Sequence, residues 1–532
     1  MIKINQIKLH INQEFDSIFT KISKILKVPV ENINKESLKI LKKSIDLRDK
    51  NYICYVYNIA IEVDNETDVL LKNTDNNVTA YIDTNRVNLV SNLDLSISEN
   101  NRPIIIGFGP AGMFCAYVLA LNGLKPIVLE RGKEYTDRND DVNNFLESGH
   151  LLENSNISFG EGGAGTFSDG KLNTNNNDKD GLMYYVLSTF VKFGANEKII
   201  YENNSHIGTD VLKNIIQNMR KDIINLGGEI RFNYKWTYKD DINTKYNSPK
   251  ILCLGNSARD TFYDLYKNGF DIKAKSLAMG FRVAHKQKII NEYQYHNNSL
   301  AEKLGNATYK LIHKIDNKTI YSFCTCPGGY IINSSNFDYY TSINGMSYSD
   351  RSNIYINSAI VINFDSNDYD NNDPFSILKL QKLFEEKTFD LANWKIPYCY
   401  LGDFIENNYV PDTDYDIDKC FYGRYQYTKD LVNIYKDVDI KFDFNKTFLT
   451  AMEHFGSIIP GFDSNDTIIA GVETRTSSPV SLSRDDNFMS NVKDYYPCGE
   501  GLGHGGGIMS CAIDGIKMAN KIIERYRDGQ YQ

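Results

Sequence analysis

Three glycines, Gly107, Gly109 and Gly112, stand at G-x-G-x-x-G spacing directly after the apolar triplet Ile104–Ile106, and Glu130 follows 18 residues after the last of them. That arrangement suits the pyrophosphate of a dinucleotide. The first glycine permits a tight turn, the second lets backbone approach phosphate, and the third lets a helix lie close to its strand. Pro110 and Ala111 fall within the turn. The helix expected over 113–122 then offers free N–H groups and its positive dipole end to the phosphates. Glu130, with Arg131 beside it, closes a second short strand at 126–129 and is placed to accept a ribose hydroxyl. A lone glycine triplet is a weak signal, but here strand, helix, second strand and terminal acid follow in order.

Two further segments point to FAD. The stretch 160–173, GEGGAGTFSDGKLN, is a second glycine-rich loop. Gly163, Thr166, Ser168 and Lys171 are its candidate cofactor contacts, Lys171 as a cation able to stabilise an anionic reduced flavin. Near the C-terminus, DYYPCGEGLGHGGGIMSCAIDG reads as strand, acid, glycine-rich turn and helix. A returning unit of this kind suits an FAD domain. Glu500 would hold the ribityl chain, and Gly506, Gly507 and Ile508 would present N–H groups to the flavin ring or the pyrophosphate. A buried strand ending at Gly255 adds one more contact. No second G-x-G-x-x-G with its own acid is found, so a dedicated NAD(P)H domain is not expected; NAD(P)H would act as a transient electron donor.

Candidate catalytic residues each carry a plainer alternative. Cys324 and Cys326, in the CTCPGG turn, could be a redox pair or merely thiols packed in a tight loop. His504 in the last glycine-rich turn could donate a proton near neutral pH, or simply contact a phosphate. Arg475 could hold an anionic substrate, or pair with Glu473 in the run GVETRTSSP, which also holds Ser477. Thr209 or Asp210 is expected to cap a helix that begins after His206. Trp236 and Tyr238 could stack on adenine or belong to the core. The run 173–177 is expected as an exposed loop. No metal-type spacing is present.

Composition bounds these readings. The chain has 532 residues, with 59 Lys and Arg against 68 Asp and Glu, a net charge of −9. That balance argues against nucleic-acid binding. Nine scattered cysteines without a CxxC pair suit a reduced, cytoplasmic setting. No signal peptide is expected in MIKINQIKLHINQ, which lacks an apolar h-region. The uncharged run 104–124 is long enough to cross a bilayer, but its glycines and proline fit the fingerprint better, and no membrane association is expected.

The chain divides into a small β-α-β segment at 1–95, with 42–46 expected as a polar turn; a first part of an FAD-binding domain at 101–275; an inserted substrate domain at 276–450; and the second part of the FAD-binding domain at 451–532.

Several segments together resemble the bacterial FAD-dependent dehydrogenase family of NAD(P)/FAD-dependent oxidoreductases: Lys43-Ser44-Ile45-Asp46, GFGPAGMF, GEGGAGTFSDGKLNT, HIGTD, NSARDT, FCTCPGG, NGMSY, GVETRTSSPV and PCGEG. The resemblance spans nearly the whole chain. It implies an α/β protein with a Rossmann-type FAD/NAD(P)-binding domain, an inserted mixed α/β substrate domain and a small N-terminal α+β, ferredoxin-like domain. The expected function is hydride transfer between FAD and a small organic substrate. The alternatives are a flavin monooxygenase of the aromatic-hydroxylase type, or a flavin-bound protein that recruits a protein partner through residues 1–95.

Overall fold

The structure is a computed structural model. It describes residues 1–49, 51–82, 87, 89, 97–172, 180–203, 205–370, 372–406, 409–411 and 416–531. The run 173–177 lies outside the described residues, as does most of 83–96.

Five parallel strands form one sheet. Its order is Tyr495–Pro497, Lys250–Leu252, Ile104–Ile106, Ile127–Leu129, Glu229–Arg231. The strands are three residues long, and the central pair, Ile104–Ile106 and Ile127–Leu129, is apolar and buried on both faces, as strands covered on both sides require. Ile105, Val128, Ile251 and Tyr496 face one core, with the helices Pro110–Leu121, Leu182–Lys192, Thr209–Asn225 and Gly507–Arg527. Ile104, Ile106, Ile127, Leu129 and Leu252 face the other, with Trp236, Phe262 and Leu265. The apolar run 104–124 is therefore a strand and a helix buried in protein. No helix among the described residues is long and apolar enough to cross a membrane.

Gly107 has φ of +103°, and a Cβ there would lie 2.4 Å from the Cys253 carbonyl oxygen. A Cβ on Gly112 would lie 2.0 Å from the Gly107 oxygen. Both positions demand glycine, one for its conformation and its space, the other for space alone.

A seven-stranded sheet stands beside the parallel one, in the order Ile312–Ile315, Lys318–Cys326, Tyr355–Phe364, Leu277–Lys286, Ile468–Glu473, Ile396–Tyr400, Tyr425–Tyr427. All neighbours are antiparallel except the last pair. The expected boundary at 450 falls inside helix Phe444–Ile458, whose Phe448, Met452 and Phe455 share one core with Phe281, Ile360 and Ile469. The seven-stranded layer thus runs on through Glu473, because its fifth strand is needed to cover that core.

The N-terminal layer is more than a β-α-β unit. Four antiparallel strands lie in the order Ile33–Asp46, Cys54–Val63, Ile2–His10, Val78–Ala80, with helices Ser17–Leu26 and Glu66–Lys72. Residues 42–46 are not a turn. They continue strand Ile33–Asp46 and pair with 54–58, whose apolar residues extend the ladder. Lys43 also docks this layer: its N–H donates to the Tyr201 carbonyl at 2.6 Å, its carbonyl accepts from Asn203 at 2.8 Å, and its ammonium pairs with Glu202 at 3.0 Å.

His285 is buried against Phe462, with ring centres 4.2 Å apart. Its Nε2 meets the Phe462 carbonyl at 2.8 Å, and its Nδ1 has no partner. Burial lowers its pKa from 6.5 to about 4. On acidification the unfolded ring takes up its proton first, so stability falls between pH 6.5 and about 4, by up to about 3 kcal/mol. Thermal unfolding across that range is expected to show a steeper loss of Tm for the wild type than for His285→Gln.

Candidate cofactor and active site

One cleft runs between the parallel sheet and the seven-stranded sheet. At one end are Gly107, Gly109, Pro110, Ala111, Glu130 and Arg131; at the other are Lys171, Phe323, Cys324, Asn344 and Glu473. Gly163, Ser168, Gly255, Trp236, Arg475, Glu500, Gly507 and Ile508 also line it. Two helices, Pro110–Leu121 and Gly507–Arg527, begin at this cleft. Their first N–H groups have no intrahelical partner, a setting that suits an anion; the Gly507 N–H already meets the Glu500 carboxylate.

Glu130 is buried and highly organised. One carboxylate oxygen accepts from the Phe108 N–H at 2.8 Å, and the other from Gly132 and Gly160, each at 2.9 Å. An ionised carboxylate accepts about four hydrogen bonds, so three backbone donors leave capacity for one hydroxyl. Arg131 is held bidentate by Asp260 at 3.0 and 2.9 Å and lies over the Phe159 ring. Glu500 accepts from Asn256 Nδ2 at 3.2 Å, and burial raises its pKa. Cβ atoms built on Gly255, Gly506 or Gly507 would meet nothing within 4 Å. Two helix N-termini, two carboxylates with spare acceptor sites and open space above these glycines together fit an elongated, phosphate-bearing, hydroxylated ligand such as FAD.

Other expected residues stand off the cleft. Gly112 supports Gly107 from behind. Thr166 is fully buried, with its hydroxyl on the Glu161 carbonyl at 3.3 Å. Gly506 precedes the closing helix and is not among the lining residues. The His504 Nε2 is engaged with the Leu482 carbonyl at 2.8 Å, and burial, with Arg484 nearby, lowers its pKa. The ring is thus turned away and stays neutral, which leaves it poorly suited to proton donation in the cleft. Tyr238 packs on Phe270 and Tyr495 in the core, whereas Trp236 lines the cleft and donates to Asn243 at 2.9 Å. Ser477 accepts from Lys275 at 3.3 Å. Thr209 and Asp210 do not cap their helix. Thr209 donates to the Ser168 carbonyl at 2.9 Å, and Asp210 accepts from Ser349, so both tie the helix to neighbouring loops. His206 faces the Ser349 carbonyl at 3.3 Å.

Arg475 and Glu473 do not pair with each other. Arg475 is bound by Glu385 at 3.0 and 2.9 Å, and Glu385 also takes Arg259 at 2.8 Å and the Thr474 hydroxyl at 2.6 Å. Burial opposes ionisation of Glu385, yet the two guanidinium groups hold its pKa down at about 2. Glu473 pairs with Arg282 at 2.6 and 2.9 Å, fully inside the protein. Arg282 also donates to Asn357 at 2.7 Å and to the Cys324 carbonyl at 3.3 Å. Asp169 is buried and receives Arg351 at 2.6 Å and Lys171 at 3.1 Å. None of Glu385, Arg282 and Asp169 was among the sequence candidates. Two had a signal: Arg282 is a charge within the apolar strand LAMGFRVAHK, and Glu385 falls on the buried stripe Ile377, Leu378, Gln381, Phe384 of its helix.

Known proteins place the chain. Residues 276–476 match the family "FAD-dependent protein, C-terminal domain-like", and residues 1–62 match a domain of unknown function, DUF8436. An uncharacterized protein of Clostridium beijerinckii is 36% identical over 541 residues, covering 99% of each chain. The chain belongs to the same family as this clostridial protein. Among solved structures, the halogenase PltM is 12% identical, covers 82% of this chain and 71% of its own, and has a TM-score of 0.34. CtdE with FAD is 11% identical, covers 81% and 91%, and has a TM-score of 0.28. Overlaps this loose carry nothing about the reaction of this family member.

Glu385→Ala would leave Arg259 and Arg475 buried without a counter-charge. A loss of about 3–5 kcal/mol is expected, read as a lower midpoint in urea unfolding at pH 7.

Proposed function

We propose that the chain is an FAD-dependent oxidoreductase that binds one FAD in this cleft and exchanges a hydride between the flavin and a small organic substrate. The observation that carries the reading is the meeting of two helix N-termini with Glu130 and Glu500 along one cleft. The fingerprint turn at Gly107–Ala111 would take the pyrophosphate, the spare acceptor site of Glu130 the adenosine ribose, and Glu500 the ribityl hydroxyls. FAD supplies hydride chemistry at its ring. Lys171 would bring positive charge to the far end of the cleft, where charge builds on a reduced flavin. The seven-stranded sheet would close over the substrate and exclude water. NAD(P)H would bind transiently as reductant. We read the N-terminal layer as a ferredoxin-like domain whose first task is structural, since Lys43 ties it to residues 201–203 through both backbone and side chain.

The purified protein is expected to show a flavin spectrum and to bleach anaerobically with NADH or NADPH. A protein that binds no flavin even after reconstitution would sink this reading. Bound flavin that neither nucleotide reduces would replace NAD(P)H by the organic substrate as the electron source. Gly112→Val should strip the flavin, because its side chain would enter the Gly107 carbonyl; the 450-to-280 nm absorbance ratio measures this. Glu130→Gln, which keeps the shape, should weaken FAD binding about tenfold or more by losing charge-assisted hydrogen bonds, read by fluorescence titration.

A further inference from the structure

The far end of the cleft holds two thiols and a cation. Lys171 Nζ lies 3.8 Å from Cys324 Sγ and 4.0 Å from Cys326 Sγ. Both cysteines are free, and the Cys326 thiol donates to the Cys324 carbonyl at 3.3 Å. Cys324 is partly exposed and lines the cleft; Cys326 is buried behind it.

The backbone brings them together. Residues two apart in a regular strand sit about 6.6–6.8 Å apart, at the outer limit of the Cα separation a disulfide tolerates. Here the ladder between Lys318–Cys326 and Tyr355–Phe364 breaks register between Phe323 and Cys326. Cys324 adopts a left-handed φ of +49°. Such a conformation is costly for a side-chain-bearing residue and gathers at functional sites. A bulge re-aims side chains, and this one turns both sulfurs toward Lys171.

The charges around the pair are asymmetric. Cys324 faces Cys326, Lys171 and Arg282, with the carboxylates Asp169 and Glu473 farther out and each already paired with a cation. The neighbouring Cys326 side chain lowers the Cys324 pKa, burial opposes this, and Lys171 and Arg282 reinforce the lowering. Cys324, together with burial, pushes Cys326 up. The two thiols are thus driven in opposite directions. By contrast, burial raises Cys115, Cys253, Cys399, Cys420, Cys498 and Cys511.

We propose that Cys324 and Cys326 are a second redox centre, a dithiol–disulfide couple that exchanges an electron pair with FAD in the same cleft and serves a thiol or disulfide substrate through Cys324. The flavin half rests on the FAD reading above. The stoichiometry closes: one Cys324 thiolate, one Cys326 thiol and oxidised FAD give one S–S bond and the reduced flavin anion. Two electrons and the Cys326 proton pass to the flavin, and no further co-reactant is needed. Run in reverse, reduced flavin opens the disulfide, and the Cys324 thiolate can then attack a substrate disulfide.

The test uses the full flavoprotein. Iodoacetamide labelling with peptide mass mapping, from pH 5 to 9, should find Cys324 labelled first, with its half-rate pH below the ordinary thiol value of about 8.5. Lys171→Met should slow labelling at pH 7 about tenfold, as expected for a pKa raised by about one unit. Mild oxidation with diamide should remove 2 Da from the peptide holding both cysteines, and Cys326→Ser should abolish that loss while leaving Cys324 labelled. Anaerobic dithionite titration of the oxidised holoprotein should consume four electrons per flavin in the wild type and two in Cys324→Ser. An ordinary labelling profile, no 2 Da loss, or two-electron uptake by the wild type would each overturn the couple. Absence of flavin would defeat the FAD reading instead, since labelling and mass loss judge the thiols without it.

Discussion

The cleft depends on a close approach of backbones. A Cβ on Gly515 would lie 2.2 Å from the Ala111 carbonyl oxygen, so the helix Gly507–Arg527 can lie against Pro110–Leu121 only because position 515 has no side chain. That contact brings the end of the chain back to the fingerprint, sets strand Tyr495–Pro497 at the sheet edge beside Lys250–Leu252, and points two helix N-termini into one space. Neither helix could do this alone. One positive terminus attracts an anion modestly; two around one cleft, with Glu130 and Glu500, define the length and polarity of a ligand.

The second layer is organised by buried charge. Arg282–Glu473 joins two neighbouring strands, and Arg259–Glu385–Arg475 joins the parallel-sheet region to the seven-stranded one. Buried ion pairs are poor sources of net stability, because desolvation offsets much of the attraction. Their effect here is positional. Each charge has partners in fixed directions, so Arg475 and the Cys324 carbonyl are held at the cleft wall. Lys171 stands among Asp169 and the two thiols for the same reason: in a low-dielectric setting a cation gathers whatever anions or ionisable groups lie within reach.

Much of the parallel-sheet side of the cleft was legible in the sequence. The strand Ile104–Ile106, the turn at Gly107 and the acid at Glu130 follow one another within a single supersecondary unit, so their spacing carries the geometry. The returning unit at 495–508 was legible for the same reason. Residues 42–46 misled because charged side chains resemble a turn when the partner strand is unknown. His504 misled because proximity in sequence to a glycine-rich turn says nothing about which way a ring faces.

By itself the sequence determined the local chemistry: where backbone must turn tightly, where N–H groups are left free, and which acids end which strands. These follow from steric and hydrogen-bonding rules acting over a few residues. Only the tertiary structure decided which charges meet. Lys171 and Cys324 are 153 positions apart, and Arg282 and Glu473 are 191 apart. Such contacts arise when separate sheets pack, and their worth depends on a burial that no single segment possesses. The pairing of Arg475 with Glu385 rather than Glu473, and the turning of two thiols toward one lysine, are products of that packing.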